Sequence, residues 1–281
     1  MKELPRRTVA VDGLALAYAE AGEGRPVVYV HGALATLDEG LIGVGPALAG
    51  RWRVIAFDRP GHGESCGDAS TGSVWRQAEL IFGALEALGV ERPVVVGHSF
   101  GGAVALAMGV ERPDAVAGVV AVAPIAFPEP RAEMALFGPR AAPVGGDWLS
   151  LISGPGDAVL LPLLWTGMFL PQRMTPEFRA RFPFALAGGR RQTRADGQDA
   201  AVMPAGLGRL ALRYGQCQVP VRVLQGDRDL VVNPWVHGRP LAARLPRGRF
   251  VELEGMGHMA HHFRPDAVAA AVEALFAGCA P

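Results

Sequence analysis

The chain has 281 residues, half of them hydrophobic, and its 27 basic and 27 acidic side chains give a formal net charge of zero. Such a chain can bury a large core, and the lack of a basic excess argues against a nucleic-acid partner. The three cysteines are odd in number and widely spaced, so they predict neither a disulfide framework nor a metal site. No apolar run is typical of a signal peptide or a membrane span, and we expect a cytoplasmic protein with reduced thiols.

Strand and helix patterns alternate along the first half of the chain. Asp12-Gly13 separates two short alternating segments, 8–11 and 14–18, and is typical of a tight hairpin turn. Continuous apolar runs typical of buried parallel strands follow at residues 26–30, 54–57, 93–96 and 119–123. Apolar residues at helical spacing occupy the interval 73–88, and the interval 100–110, rich in alanine and other small residues, is also predicted to be helical.

The same alternation returns near the end of the chain. Strand-like segments occur at residues 221–224 and 249–253, and helical segments at 241–245 and 265–276. Together with the leading hairpin, this pattern predicts an α/β fold with a mostly parallel, eight-stranded sheet flanked by helices on both faces.

The alternation is interrupted between about residue 127 and residue 219. The chain there is dense in Pro, Gly, Arg and large apolar residues, with helical pieces and no clear strand. A stretch of this length is not a bare loop in a compact domain. We therefore predict a core formed by residues 1–127 and 219–281. Residues 128–218, called the inserted segment below, are predicted to form a helical cap (lid) over the sheet.

Gly97-His98-Ser99-Phe100-Gly101 directly follows one predicted strand and directly precedes a predicted helix. This is the context of a G-x-S-x-G nucleophile elbow, in which a sharp turn projects the serine hydroxyl. Glycines on both sides allow close backbone approach, and the helix N-terminus favours developing negative charge. Ser99 is therefore the candidate nucleophile, and His98 either touches a ligand or packs within the turn.

A serine hydroxyl needs a general base near neutral pH, and the chain has seven histidines. His258 lies in the loop after the last predicted strand, which opens on the same sheet edge as the serine loop. We expect His261 and His262 at the start of the last helix or on its surface. We expect His237 in a helix after the loop that contains Asp229.

The histidine in turn needs an acid to orient it. Asp227 and Asp229 both follow the strand at 221–224, and either one preserves the chain order serine, acid, histidine. Glu129, shortly after the strand at 119–123, is a further alternative.

The chain resembles the α/β-hydrolase fold superfamily, in its lidded branch of esterase-like serine hydrolases. Four motifs carry the resemblance in order: His31-Gly32, Asp58–Ser65, Gly97–Gly101, and Gly226–Asp229 followed by Gly257-His258. The resemblance implies that Asp229 is the acid, because the family's aspartate stands three residues after the strand-end glycine. It also implies an oxyanion hole made by the backbone N–H groups of Phe100 and Ala33, with Leu34 possible in place of Ala33.

Serine at the elbow disfavours the dehalogenation and epoxide opening that relatives with aspartate there carry out. The predicted activity is hydrolysis of carboxylic esters of small or medium acyl substrates through an acyl-enzyme, with no metal or organic cofactor. The expected partner is a small ester-like molecule, with no nucleic acid and no membrane span, and the oligomeric state stays open.

Three alternatives remain at this point. The same triad serves carbon–carbon bond hydrolysis of ring-fission products, and it serves cofactor-free perhydrolysis. A less favoured alternative is a non-catalytic ligand-binding member of the fold. A cationic group facing a substrate carboxylate would favour the carbon–carbon hydrolase, and the inserted segment offers Arg173, Arg179, Arg181, Arg190, Arg191 and Arg194.

Overall fold

The computed structural model describes residues 4–278, without the side chain of Asp147, so Cys279 lies outside the described residues. Eight strands form one sheet: β1 (Arg7–Val11), β2 (Leu14–Ala21), β3 (Pro26–Val30), β4 (Arg53–Phe57), β5 (Val94–His98), β6 (Gly118–Val122), β7 (Val221–Gly226) and β8 (Gly248–Leu253). Their order in the sheet is β1-β2-β4-β3-β5-β6-β7-β8. Strand β2 is antiparallel to both of its neighbours, β1 and β4, and the other five adjacent pairs are parallel. The predicted mostly parallel, eight-stranded sheet is therefore confirmed.

Twelve α-helices connect or follow these strands in the described chain. They are α1 (Asp38–Gly43), α2 (Gly45–Leu48), α3 (Val74–Ala87), α4 (Phe100–Glu111), α5 (Ala132–Leu136), α6 (Gly146–Ile152), α7 (Gly154–Met168), α8 (Pro176–Arg181), α9 (Phe184–Ala187), α10 (Arg190–Ala211), α11 (Gly238–Arg244) and α12 (Pro265–Ala277). None of the helices in this range is long and apolar enough to cross a bilayer. The sequence patterns did not predict α1 and α2, which are too short to show helical periodicity.

The sheet is buried on both faces because its strands alternate between two hydrophobic cores. Val28 of β3 belongs to a core shared with α3, α4 and α11, whereas its neighbour Val27 belongs to a core shared with α2 and α12. Successive side chains of a strand point to opposite faces, so a continuous apolar run serves both cores. This pleating explains why the central strands are readable as unbroken runs of Val, Ile and Ala.

The inserted segment contains α5 to α10 and no strand between residues 128 and 218, all of which the structure describes in backbone. It has an aromatic cluster in which Phe178 and Phe182 stack at 4.4 Å between ring centroids. Trp165 and Phe169 join this cluster, which also includes Leu34, Ile42 and Met259 from outside the inserted segment. The inserted segment therefore packs on the loops that leave the carboxyl ends of β3 and β8.

We predict that Gly101→Ala destabilises the fold by about 2 kcal/mol or more, because overpacking at a rigid contact forces backbone shifts. A Cβ atom on Gly101 would lie 2.2 Å from the Val30 carbonyl oxygen and 2.4 Å from that of His31. Urea unfolding measures the change. Gly208→Ala in α10 is the matched control, since its Cβ meets no atom within 4 Å. The control should be neutral or stabilising, and equal losses in both variants would contradict the prediction.

Candidate active site

Ser99 lies on a sharp turn between β5 and α4, with φ 52° and ψ −116°. A non-glycine residue at positive φ is strained, and here the surrounding backbone holds it. The Ser99 N–H donates to the Val122 carbonyl oxygen at 2.9 Å, and the Ser99 carbonyl accepts from Gly102 N at 3.0 Å. A Cβ on Gly97 would lie 2.2 Å from the Gly101 carbonyl oxygen, so this turn requires glycine there. These close contacts explain why glycine is needed near Ser99 in the G-x-S-x-G sequence.

His258 and Asp229 form a buried pair beside this turn. His258 Nδ1 lies 2.9 Å from Asp229 Oδ2, and both side chains are almost fully buried. Asp229 Oδ1 accepts the N–H groups of Val231 and Val232 at 2.9 and 2.8 Å. Burial acts to raise the pKa of Asp229, but His258 and these hydrogen bonds outweigh burial and hold that pKa below its usual value. Asp229 is therefore an ionised acceptor for His258 Nδ1–H.

Ser99 and His258 line the same cavity, although no direct hydrogen bond joins their side chains among the described contacts. Such contacts are often long before substrate binds and tighten in the reacting complex. The cavity has a volume of about 320 Å³. Its other walls are mostly apolar and come largely from the inserted segment: Leu136, Phe137, Leu163, Leu164, Met168 and Met203.

The two predicted oxyanion donors, Ala33 and Phe100, also line this cavity. Neither backbone N–H has a hydrogen-bond acceptor within the described part of the chain. Leu34 differs, because its N–H already donates to Asp196 Oδ1 at 2.9 Å. The geometry therefore favours Ala33 over Leu34 as the second donor.

A buried carboxylate, Glu39 of α1, lies beneath the site, and the sequence analysis did not single it out. Glu39 Oε1 lies 2.5 Å from His98 Nδ1, and His98 Nε2 lies 3.2 Å from the His258 carbonyl oxygen. Glu39 Oε2 accepts the N–H of Gly32 at 3.1 Å. Glu39 thus contacts the loop after β3 directly and the His258 loop through His98, which is buried in the turn and also lines the cavity.

The structure places His261 and His262 directly before the last helix, one of the two expected positions, and the alternative of a surface position is wrong for His261. Residues 260–262 form a short 3-10 turn before α12, in which His261 is fully buried. The His261 ring lies 4.3 Å from that of His98 and 4.4 Å from that of His262. Burial and the neighbouring imidazoles hold the pKa of His261 well below its usual value, so this ring is neutral.

Arg59 is the centre of a second buried polar network, between the loop after β4 and α10. Arg59 Nη1 donates to Asp199 Oδ2 at 2.6 Å, and Arg59 Nη2 donates to the Gly32 carbonyl oxygen at 3.2 Å. His62 Nε2 lies 3.3 Å from Asp199 Oδ2 and 3.4 Å from Asp196 Oδ1. Buried charges of this kind are tolerated only when paired and hydrogen-bonded.

The charge on His62 balances this network. Burial and Arg59 act to lower the pKa of His62, but Asp199 and hydrogen bonds to both aspartates raise it to about 9. Arg59 Nη2 also lies 3.1 Å from His62 Nε2, so protonation of His62 adds a second positive charge beside Arg59, opposite Asp196 and Asp199. Asp196 and Asp199 stand with Gln192 at helical spacing on one face of α10, a polar stripe that was present in the sequence but was not recognised.

Two clusters in the described chain bring together metal-ligating side chains: Glu39, His98 and His261; and His62, Asp196 and Asp199. In the first, the 2.5 Å between carboxylate and imidazole is shorter than the roughly 3.3 Å that separates two ligands of one tetrahedral ion. In the second, the Arg59 guanidinium already supplies the positive charge. Neither donor set fits a metal ion as arranged.

The alternative acid, Glu129, is directed elsewhere. Its carboxylate contacts His237 Nε2 at 2.8 Å and Arg131 Nη1 at 2.7 Å. His237 is buried at the start of α11, where its Nδ1 accepts the N–H of Ala126 at 3.0 Å. Asp227 is exposed. Asp229 is therefore the carboxylate in contact with His258.

The chain belongs to the alpha/beta hydrolase fold family, whose model matches residues 25–265. This confirms the family resemblance. The chain is 27% identical over 256 residues to a 2-hydroxy-6-oxo-6-phenylhexa-2,4-dienoate hydrolase of Burkholderia cepacia. The alignment covers 88% of this chain and 86% of that enzyme. An alpha/beta hydrolase fold protein of Burkholderia ambifaria superposes with a TM-score of 0.80 at 23% identity, over 95% of this chain and 96% of that one.

A shorter match involves a different kind of protein. The chain is 36% identical over 118 residues to the dihydrolipoyllysine-residue acetyltransferase component of the acetoin cleaving system of Cupriavidus necator. That match covers 42% of this chain and only 31% of the acetyltransferase component.

We predict that the free energy of unfolding falls by about 1–3 kcal/mol as pH rises from about 6.5 to 9. The pKa of His62 is higher in the folded chain than its ordinary value of 6.5, so its contribution is complete below that pH and is lost as pH rises through about 9. Urea unfolding at several pH values tests this. His62→Gln should flatten the dependence, and an unchanged decline in that variant would assign the effect to another group.

Proposed function

We propose that the protein is a serine hydrolase that cleaves carboxylic esters of small or medium acyl substrates. Ser99 is the nucleophile, His258 the general base, Asp229 the acid that orients it, and the N–H groups of Ala33 and Phe100 form the oxyanion hole. The observation that carries the proposal is the strained turn at Ser99, which lines an apolar cavity together with His258, the partner of Asp229.

The reaction follows from these positions. Ser99 Oγ attacks the ester carbonyl carbon as its proton passes to His258 Nε2, and the carbonyl oxygen becomes an oxyanion held by two backbone N–H groups. Collapse breaks the bond to the alkoxy group, which leaves as an alcohol with the proton from His258. Water, deprotonated by His258, then releases the acid and restores Ser99. Asp229 holds the imidazole tautomer that keeps Nε2 free to accept.

The inserted segment is the proposed cap of this site. It supplies most of the apolar wall around Ser99, and the cavity of about 320 Å³ is at the small end of the range for ligand pockets. An apolar wall reduces the contact of the site with water and accommodates a short acyl chain. This supports small or medium acyl groups as substrates.

Carbon–carbon bond hydrolysis is the second candidate, because the Burkholderia cepacia relative is named for a substrate of that class. That substrate carries a carboxylate, which a pocket would pair with a cation. Arg131 lines the cavity, but it already pairs with Glu129 at 2.7 Å and Glu133 at 2.5 Å. None of the six arginines named above lines the described cavity. The charge balance therefore favours neutral esters.

We predict that the wild-type protein hydrolyses p-nitrophenyl esters with an optimum at short or medium acyl length. Ser99→Ala should lower kcat by about a thousandfold or more, because it removes the nucleophile while retaining the fold. Release of p-nitrophenol across an acyl series measures both effects.

The same assay separates the alternatives. Turnover of a carboxylate-bearing ring-fission dienoate in preference to any ester would favour the carbon–carbon hydrolase. Faster acyl transfer to hydrogen peroxide than to water would favour perhydrolysis. A folded protein that binds esters with equal affinity before and after Ser99→Ala, and turns over neither, would identify a ligand-binding member of the fold.

We predict that Asp229→Asn lowers kcat by about 10²- to 10⁴-fold with little change in folding, because the amide no longer holds the productive tautomer of His258. Steady-state kinetics on the best p-nitrophenyl ester provides the measurement. Glu129→Gln is the matched control and should stay within about threefold of wild type. The reverse order of effects would transfer the role of the acid to Glu129.

A further inference from the structure

Leu34, the residue after the proposed oxyanion donor Ala33, has a backbone φ of 54°. A leucine in this left-handed region is strained, and such strain persists only where neighbouring groups impose it. The imposing groups come from the inserted segment. The Leu34 N–H donates to Asp196 Oδ1 at 2.9 Å, and the Leu34 carbonyl accepts from Trp165 Nε1 at 2.9 Å.

Both partners are well placed to hold the loop rigidly. Asp196 of α10 and Trp165 of α7 are each 4% exposed, so water does not compete for these hydrogen bonds. A third contact, from Gln192 Nε2 to the Ala35 carbonyl oxygen at 3.1 Å, also originates in α10. Three backbone polar groups of Leu34 and Ala35 are therefore satisfied by side chains more than 120 residues away in sequence.

At its other end, the peptide that carries the Ala33 N–H has His31 Nδ1 2.8 Å from its carbonyl oxygen and is linked to α10 through Arg59. Its carbonyl, that of Gly32, accepts from Arg59 Nη2 at 3.2 Å, and Arg59 is itself fixed by Asp199 of α10 at 2.6 Å. A guanidinium on the carbonyl oxygen polarises the peptide and makes its N–H a stronger donor. Thus α10 constrains the donor peptide through Arg59 and the following peptide through Asp196.

We propose that the inserted segment completes the oxyanion hole, with Asp196 and Trp165 as positioning residues that clamp Leu34 and thereby orient the Ala33 N–H. The proposal rests on the hydrolase function proposed above. It gives the inserted segment a role beyond enclosing the substrate. Because the clamp forms only when α7 and α10 lie against the loop, the site stabilises the oxyanion only with the cap in place.

The test compares kcat, KM and the affinity for phenylboronic acid in wild type, Asp196→Leu, Asp196→Asn and Trp165→Phe. Boron accepts Ser99 Oγ as the serine proton passes to His258, and the resulting anionic tetrahedral boronate places one of its hydroxyl oxygens at the donors. The best p-nitrophenyl ester serves as substrate. Boronate affinity reports on the oxyanion hole without a turnover step.

Asp196→Leu removes the acceptor, so we expect kcat and boronate affinity to fall together by about tenfold to a hundredfold, with KM within about threefold. Trp165→Phe keeps the ring but loses the indole donor, and should cause a smaller fall in the same two quantities. Asp196→Asn keeps an oxygen that accepts the Leu34 N–H, and should restore both to within about threefold of wild type.

Asp157→Leu is the matched control. Asp157 is a buried aspartate of α7 that pairs with Arg140 at 2.6 Å and does not contact the oxyanion loop. It should lower thermal stability without the paired loss of kcat and boronate affinity. A similar loss of both kcat and boronate affinity in this control would show that any destabilisation of the inserted segment has this effect. That result would overturn the proposal.

Other outcomes are equally decisive. An active wild type whose Asp196→Leu variant keeps kcat and boronate affinity would overturn the clamp alone. Equal losses in Asp196→Leu and Asp196→Asn would assign the effect to charge rather than to the Leu34 hydrogen bond, and would also overturn it. A folded wild type that neither hydrolyses esters nor binds boronate would overturn the proposed function, and the clamp with it.

Discussion

The site depends first on the sharp turn that joins β5 to α4. Ser99 occupies a backbone conformation that is unfavourable on its own, and the turn persists because glycines at 97 and 101 let neighbouring backbone approach within distances that no Cβ would permit. The adjoining strand is fully buried and so is the helix except for its last residue, Glu111, so the strain cannot relax outward. Rigid packing on both sides thus keeps the serine hydroxyl at the sheet edge where the loops after β3, β7 and β8 converge.

Around this turn, two buried carboxylate systems hold the neighbouring loops. Glu39 reaches the Gly32 N–H and, through His98, the backbone of His258. Asp196 contacts the loop after β3 directly and Asp199 does so through Arg59, and Arg59 and His62 oppose the charge of the two aspartates. Each carboxylate is satisfied by several donors, which is the condition under which a buried charge adds rigidity. The apolar cavity lies between these systems, and its single lining arginine is neutralised at close range by two glutamates.

Most of the strands and several helices of this fold could be predicted from local sequence patterns. The strands from β3 to β7 match the predicted apolar runs to within about two residues at each end, and α3, α4 and α12 match the predicted helices equally well. Unbroken apolar runs and apolar residues at helical spacing indicate that a sheet or helix face is buried. They do so regardless of which element packs on that face. The same local reading failed for His261, because exposure depends on what packs above a residue, and α1 and the aromatic rings around it cover this one.

The sequence by itself determined the fold class, the elbow around Ser99, and the order of candidate serine, acid and histidine, because each follows from short spacings or from the parallel sheet edge. It also located the inserted segment. Only the tertiary structure decided that Asp229 rather than Glu129 meets His258, and that Leu34 is engaged by Asp196 while Ala33 stays free. It alone brought Glu39 to His98 and Asp199 to Arg59, across 59 and 140 residues of chain. Contacts at such separations depend on how helices and loops pack together, and no local period encodes them.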